Sequence, residues 1–136
     1  MREILFRGMT DDGEWYVGKG VNLCWSKAFI PEEYVIKSTG VKVCDDVEVI
    51  PTTIGQFTGL TDKNGKKIFE GDIVRCISMT DMANMVVIFE DGEFRMVLCE
   101  KYKDYIPGCG FYAIRCFDKE VIGNIHDNPE LLEVEG

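Results

Sequence analysis

Short runs of apolar, β-branched residues alternate along the whole chain with turns that contain Gly, Asn and Asp. This alternation is typical of strands connected by tight turns. The predicted strands and extended segments are 4–7, 14–18, 34–36, 41–44, 47–50, 55–60, 68–69, 73–77, 85–89, 94–98, 111–117 and 121–125. A loop is predicted at 78–84, a short helix at 101–105 and a terminal helical turn at 129–133. The pattern therefore predicts a mainly β protein with little helix.

Four turn signals join neighbouring strands into predicted hairpins. Asn64-Gly65 lies between extended segments, and Asn-Gly is the strongest short-range hairpin signal. Residues 11–13, 38–40 and 90–93 occupy equivalent places between other pairs of strands and contain Gly, Asp or Ser. We therefore expect antiparallel pairing of consecutive strands.

Three segments of the first half have a less regular pattern. Residues 21–29 indicate no clear element, and we expect Trp25 and Phe29 to pack against the opening hairpin. Residues 31–33, which include a proline, predict a turn or a single helical turn. The acidic pair at 45–46 predicts an interruption between two short strands.

Short strands at close spacing are typical of small barrels and sandwiches. We expect residues 54–136 to form a small SH3-like barrel-type part that ends in a short helical turn. Residues 1–53 then form a β-rich segment packed on it, within a single compact domain.

Composition agrees with this fold class and narrows the function. The chain has 13 Val and 13 Ile against 6 Leu and 3 Ala, which favours strands over helices. Its 24 acidic and 15 basic residues give a net charge of −9, which opposes binding to phosphate backbones. Direct nucleic-acid binding is therefore not expected, and mimicry of DNA by an acidic surface stays open as an alternative.

The apolar runs are too short for a membrane span, which needs about 20 apolar residues. Arg7 interrupts the apolar start where a secretory signal would need a longer core, so we expect a cytoplasmic protein with reduced cysteines. The six cysteines include no C-x-x-C pair, and neither disulfides nor a metal site is predicted. Cys109, between two glycines, is the cysteine that we expect to be exposed.

Three blocks of sequence resemble the YopX family. They are Phe6-Arg7-Gly8 with Gly13-Glu14-Trp15-Tyr16-Val17-Gly18, the central block Ile54 to Val74, and the closing Glu120 to Leu132. The resemblance implies a protein encoded by a phage, prophage or other mobile element that acts inside a bacterial cell. It implies no catalytic residue, because the family has no established activity. The central block consists mostly of turn and core residues, which is typical of a fold signature.

Known catalytic and ligand-binding patterns fit this chain poorly. The single histidine, His126, is interpreted as a surface or capping position. The segment 59–67 lacks the spacing and the Ser or Thr of a phosphate-binding P-loop, and 62–65 lacks the Gly position and closing Glu of a calcium loop. We therefore expect a protein that is not an enzyme and needs no cofactor.

Aromatic residues are concentrated in the first 34 positions. The candidate protein-contact residues are Trp15, Tyr16, Trp25, Phe29 and Tyr34. They form either core shared with the barrel-like part or a surface for a partner or a second copy, since Trp and Tyr are enriched at interface centres. The leading hypothesis is a non-enzymatic module that binds a host or phage protein.

Overall fold

The computed structural model describes residues 3–77, 82–90, 92–98 and 119–132. The strands within these residues are β1 (Phe6–Met9), β2 (Trp15–Gly18), β3 (Asn22–Cys24), β4 (Lys27–Ile36), β5 (Val41–Val49), β6 (Gly55–Thr61), β7 (Lys67–Phe69), β8 (Asp72–Ile77), β9 (Met82–Glu90), β10 (Glu93–Leu98) and β11 (Lys119–Asn124). The helical segments among the described residues are two 3₁₀ turns, Pro51–Thr53 and Pro129–Leu132. The prediction of a mainly β protein is confirmed. The predicted helix at 101–105 and strand at 111–117 lie outside the described residues.

The chain divides into two compact units, residues 1–57 and 58–136, with the boundary inside β6. The predicted boundary between 53 and 54 lies a few residues earlier. In the part of the chain that the structure describes, no helix is long and apolar enough to cross a membrane.

The first unit contains two antiparallel layers. β1 pairs with β2 and with the start of β6, and β4 pairs with β3 on one side and β5 on the other. A Cβ atom on Gly8 would lie 2.7 Å from Cγ2 of Val49, and one on Gly18 would lie 2.6 Å from Cγ2 of Ile30. The layers approach so closely that only glycine fits at these two points. The buried core residues are Ala28, Ile30 and Val49, with Val21, Val47 and Ile54 packed against them.

The second unit is built on an antiparallel sheet of order β10-β9-β8-β11. One cluster of its buried core consists of Ile68, Val74, Met85, Val87 and Met96, with Leu60, Phe94 and Val121 packed against them. The hairpin predicted around 90–93 is confirmed as β9 and β10. β10 and β11 are the ends of the order, so the strands described here form an open sheet.

Two predictions for the first unit are wrong because β4 and β5 are longer than expected. Residues 31–33 lie inside β4 and form no turn, with Pro31 paired to Asp46 of β5. A proline is tolerated here because β3 pairs with β4 only as far as Phe29, so the missing N–H removes no ladder bond. Asp45 and Asp46 lie within β5 without interrupting it, because their side chains remain exposed.

The prediction of a loop at 78–84 is also wrong for the last residues of that range. Residues 82–84 begin β9, where Ala83 pairs with Cys76 and Asn84 with Arg75. The side chain of Asn84 donates a hydrogen bond to the carbonyl oxygen of Leu131 at 3.0 Å, which gives this polar residue a partner within the second unit.

Candidate functional site

The segment 21–29, for which the sequence indicated no clear element, forms the β3–β4 hairpin. Asn22, Leu23 and Cys24 pair with Phe29, Ala28 and Lys27, which leaves Trp25 and Ser26 as a two-residue turn. Such turns usually contain Asn or Gly because they need a positive φ. Sequence reasoning missed this hairpin because its turn carries neither residue.

Trp25 combines an unfavourable backbone conformation with complete exposure. Its φ is 59°, and it is the one non-glycine with a positive φ among the described residues. A bulky side chain in this region is a conformational outlier. Trp25 is 100% exposed, so the expectation that it packs against the opening hairpin is wrong. The turn projects the indole ring into solvent, where it recovers little stabilisation from burial.

The two residues before Trp25 are also exposed, but on opposite faces of β3, because successive side chains of a strand alternate. Leu23 is 75% exposed, and Cys24 is exposed as a free thiol. We call Leu23, Cys24 and Trp25 the tip surface. It is apolar, and it belongs to a strand that lies at the edge of the order β3-β4-β5. An exposed tryptophan at a hairpin tip is the kind of side chain that anchors protein interfaces.

Acidic side chains lie on the face of the β3-β4-β5 sheet that Cys24 shares, opposite the face of Leu23. Phe29 of β4 is half-buried between Asn22 of β3 and Glu48 of β5 in the register. The amide of Asn22 donates to Oδ1 of Asp46 at 3.4 Å, so this carboxylate reaches from β5 across β4 to β3. Lys27 Nζ lies 3.7 Å from Oε1 of Glu48, in an exposed ion pair. This face therefore presents carboxylates next to an aromatic ring.

Two of the other predicted contact residues, Trp15 and Tyr16, have partners within the chain. The guanidinium carbon of Arg7 lies 4.8 Å from the ring centroid of Trp15, a cation–π arrangement that covers part of the indole. The hydroxyl of Tyr16 donates to Oε2 of Glu14 at 3.2 Å. This bond and the charge of Glu14 raise the pKa of Tyr16 above 10.0. Tyr34 lies in β4, and its side chain lies outside the description. The structure therefore places Trp15 and Tyr16 on the β1–β2 hairpin, and Trp25, Phe29 and Tyr34 on the β3–β4 hairpin.

The central block that resembles the YopX family is organised by one buried carboxylate. Asp62 Oδ1 accepts the backbone N–H groups of Asn64 and Lys66 at 2.8 and 2.9 Å. Its Oδ2 accepts the N–H of Val121 in β11 at 2.9 Å. Burial has the largest effect on this carboxyl and would raise its pKa, but the three amides and the charge of Lys66 together hold the pKa below 3.8. Asp62 therefore closes the β6–β7 turn and ties it to β11.

The closing block also forms structure around polar side chains. Oδ1 of Asn124 accepts the N–H groups of His126 and Asp127, both at 2.9 Å. This places His126 in a half-buried turn after β11. Within the described residues, no three His, Cys, Asp or Glu side chains are placed to hold a metal ion. Cys109 lies outside those residues.

Comparisons with known proteins identify a family but no activity. The family model described as YopX protein matches residues 5–133. No curated protein matches the chain. Among solved structures, the chain is similar to protein EF1440 from Enterococcus faecalis, with 26% sequence identity and a TM-score of 0.58 over 96% of this chain and 98% of that one.

Proposed function

The chain belongs to the YopX protein family, and we propose that it is a non-enzymatic protein-binding module whose partner docks on the tip surface of the β3–β4 hairpin. We further propose that it is a phage or prophage accessory protein that acts in the bacterial cytoplasm on a host or phage protein. The SH3-like barrel-type arrangement of residues 54–136 stays a prediction of the sequence pattern.

The observation that supports the proposal is the conformation of Trp25. A left-handed backbone costs a non-glycine residue about 1–2 kcal/mol, and a fully exposed indole recovers little of this by packing. Outliers of this kind occur where a function requires them. Binding a partner would bury the indole ring, and the free energy gained from that burial would offset the conformational cost of the Trp25 backbone.

The surroundings of Trp25 fit protein recognition better than catalysis. An interface core is apolar and enriched in tryptophan, and its rim is polar. Trp25 supplies the apolar part here, and Asp46 and Glu48 supply charged groups on the face of the same sheet that Cys24 shares. The net charge of −9 disfavours contact with phosphate groups.

The test compares three forms of the tagged full chain in a cross-linked pull-down. The lysates come from bacterial host cells that carry the phage, prophage or other mobile element encoding the chain. The three forms are the wild type, Trp25→Gly, and Val41→Ser as a control at another exposed apolar position. Trp25→Gly removes the ring and also relieves the backbone, so we expect it to increase the free energy of unfolding by about 1 kcal/mol. A loss of binding in this variant therefore has no explanation in misfolding.

The proposed function is supported if the wild type captures one partner in stoichiometric amount and Val41→Ser captures the same amount of it. Trp25→Gly should recover it at least about tenfold less, as expected for a tryptophan at an interface centre. Equal recovery by Trp25→Gly, or capture of background alone, would contradict the proposal. Retardation of DNA or RNA by the chain in a low-salt titration would favour the nucleic-acid alternative instead.

A further inference from the structure

The edge of β3 offers backbone groups to an additional strand. Cys24 and Lys27 flank the two-residue turn, and in such a hairpin this pair exchanges both of its backbone hydrogen bonds. The next pair, Leu23 with Ala28, does not exchange bonds, so the N–H and C=O of Leu23 point away from β4. β3 is the end strand of its sheet, and Leu23 is largely exposed. An extended segment laid beside β3 could therefore pair with Leu23.

Edge strands are normally protected by charged side chains or proline. β3 consists of Asn22, Leu23 and Cys24 and contains no Asp, Glu, Lys, Arg or Pro. Its shortness limits a partner to a few backbone bonds, so side-chain contacts must supply the rest of the affinity. Trp25 at the end of the strand is placed to supply them.

The negative charge beside β3 favours a basic segment as the added strand. The Asn22–Asp46 hydrogen bond brings a carboxylate of β5 to the β3 side of the sheet. Adjacent strands lie about 4.8 Å apart, a distance that a lysine or arginine side chain spans. A basic residue on an added strand can therefore reach Asp46, and the net charge of −9 attracts it over a longer range.

We propose that the tip surface binds an extended, basic segment of the partner protein, which adds to the edge of β3 as a further strand. The backbone of Leu23 holds the segment, Trp25 covers an apolar side chain of it, and Asp46 with Glu48 holds its cationic side chains. This inference rests on the proposed function and specifies the chemistry of its partner.

The test titrates the full chain with capped peptides of alternating Lys and Val and follows backbone amide signals by NMR. We expect saturable shifts centred on Leu23 that weaken with salt. A Glu-Val peptide should give none, and neither should a Lys-Val peptide whose alternate backbone nitrogens are methylated, since it cannot pair as a strand. Equal shifts with the methylated peptide, or no saturable shift at Leu23, would overturn the proposal.

Two variants examine the contacts separately. Leu23→Pro removes the outward N–H and leaves the Cys24–Lys27 pair in place, and a proline is tolerated on an edge strand. The double variant Asp46→Asn with Glu48→Gln should weaken the Lys-Val peptide about fivefold, as expected for two exposed ion pairs. Asp11→Asn with Asp12→Asn, in the β1–β2 turn, removes the same charge elsewhere and should weaken it less.

The same variants distinguish this inference from the proposed function. Capture of the partner could depend on Trp25 and yet be unchanged by Leu23→Pro and by the double variant at Asp46 and Glu48. That result would refute strand addition and leave the proposed function standing. A partner that is captured independently of Trp25 would refute both.

Discussion

Replacing Asp62 tests whether the most family-like part of the chain is structural. The carboxylate accepts three backbone N–H groups, two in the β6–β7 turn and one from Val121 in β11. Hydrogen bonds to a charged group contribute about 1.5–3 kcal/mol each, and less where water replaces the acceptor. Asn64 and Lys66 are exposed, so water can reach their amides after the substitution. The loss of the hydrogen bond from the partly buried Val121 amide then makes the largest contribution to the destabilisation.

We expect Asp62→Ala to lower the free energy of unfolding by about 3 kcal/mol, and Asp62→Asn by about 2 kcal/mol. Asparagine keeps one oxygen for the turn but directs an NH₂ group at the N–H of Val121. Glu130→Gln removes an equal charge from an exposed position of the second unit and should change stability by less than about 0.5 kcal/mol.

Urea unfolding is best followed by far-UV circular dichroism and by hydrogen exchange at the Val121 amide. Both tryptophans, Trp15 and Trp25, lie in the first unit, so their fluorescence reports that unit separately. The reasoning is refuted if Asp62→Ala matches Glu130→Gln, or if exchange at Val121 is no faster than in the wild type.

The lowered pKa of Asp62 adds a dependence on pH. A carboxyl with a depressed pKa contributes stability that is fully present above its unfolded value of 3.8. That contribution is lost as the pH falls through the lower folded-state value. Wild type should therefore lose stability below about pH 4 more steeply than Asp62→Asn, which has no group to protonate there.

Three further predictions concern single contacts. Gly123→Ala places a Cβ atom too close to Oδ1 of Asn128 and should destabilise the second unit by about 2 kcal/mol, whereas the double variant with Asn128→Ala should recover part of this in an unfolding cycle. Thr53→Val removes a buried hydroxyl that accepts a backbone N–H at 2.9 Å and should cost about 1–3 kcal/mol in urea unfolding. Glu14→Gln should lower the pKa of Tyr16 toward 10.0 in a spectrophotometric titration, because Glu14 is the main cause of its increase.

The hairpins that could be predicted from the sequence are those whose turns carry their own chemistry. Asn64-Gly65 lies in the β6–β7 turn with Gly65 at a φ of 83°, and Gly92 lies between β9 and β10 with a φ of 80°. In both, the residue that permits the conformation is visible in the sequence. Local preference and final structure agree at these positions.

The errors occur where neighbouring strands decide the outcome. Pro31 reads as a turn residue, yet it lies in a strand because its nitrogen faces the side of β4 that β3 does not reach. The sequence predicted Asp62 as a turn residue, which is confirmed, but the contact that Asp62 makes outside the turn was missed for a related reason. Its bond to Val121 joins positions far apart in the chain, next to a register shift between Val121 and Gly123. A local pattern contains no information about such a contact.

The positions that carry the family resemblance stabilise the fold, whereas the position that carries the proposed function does not. Asp62 and Asn124 are polar side chains whose hydrogen bonds hold turns together, so the fold explains their presence. Trp25 contributes little to the fold, and its backbone conformation opposes the fold. A residue that local preference would exclude is expected at a functional site, where a benefit outside the isolated chain offsets the cost. The family signature is therefore the place to look for stability, and the β3–β4 hairpin is the place to look for the partner.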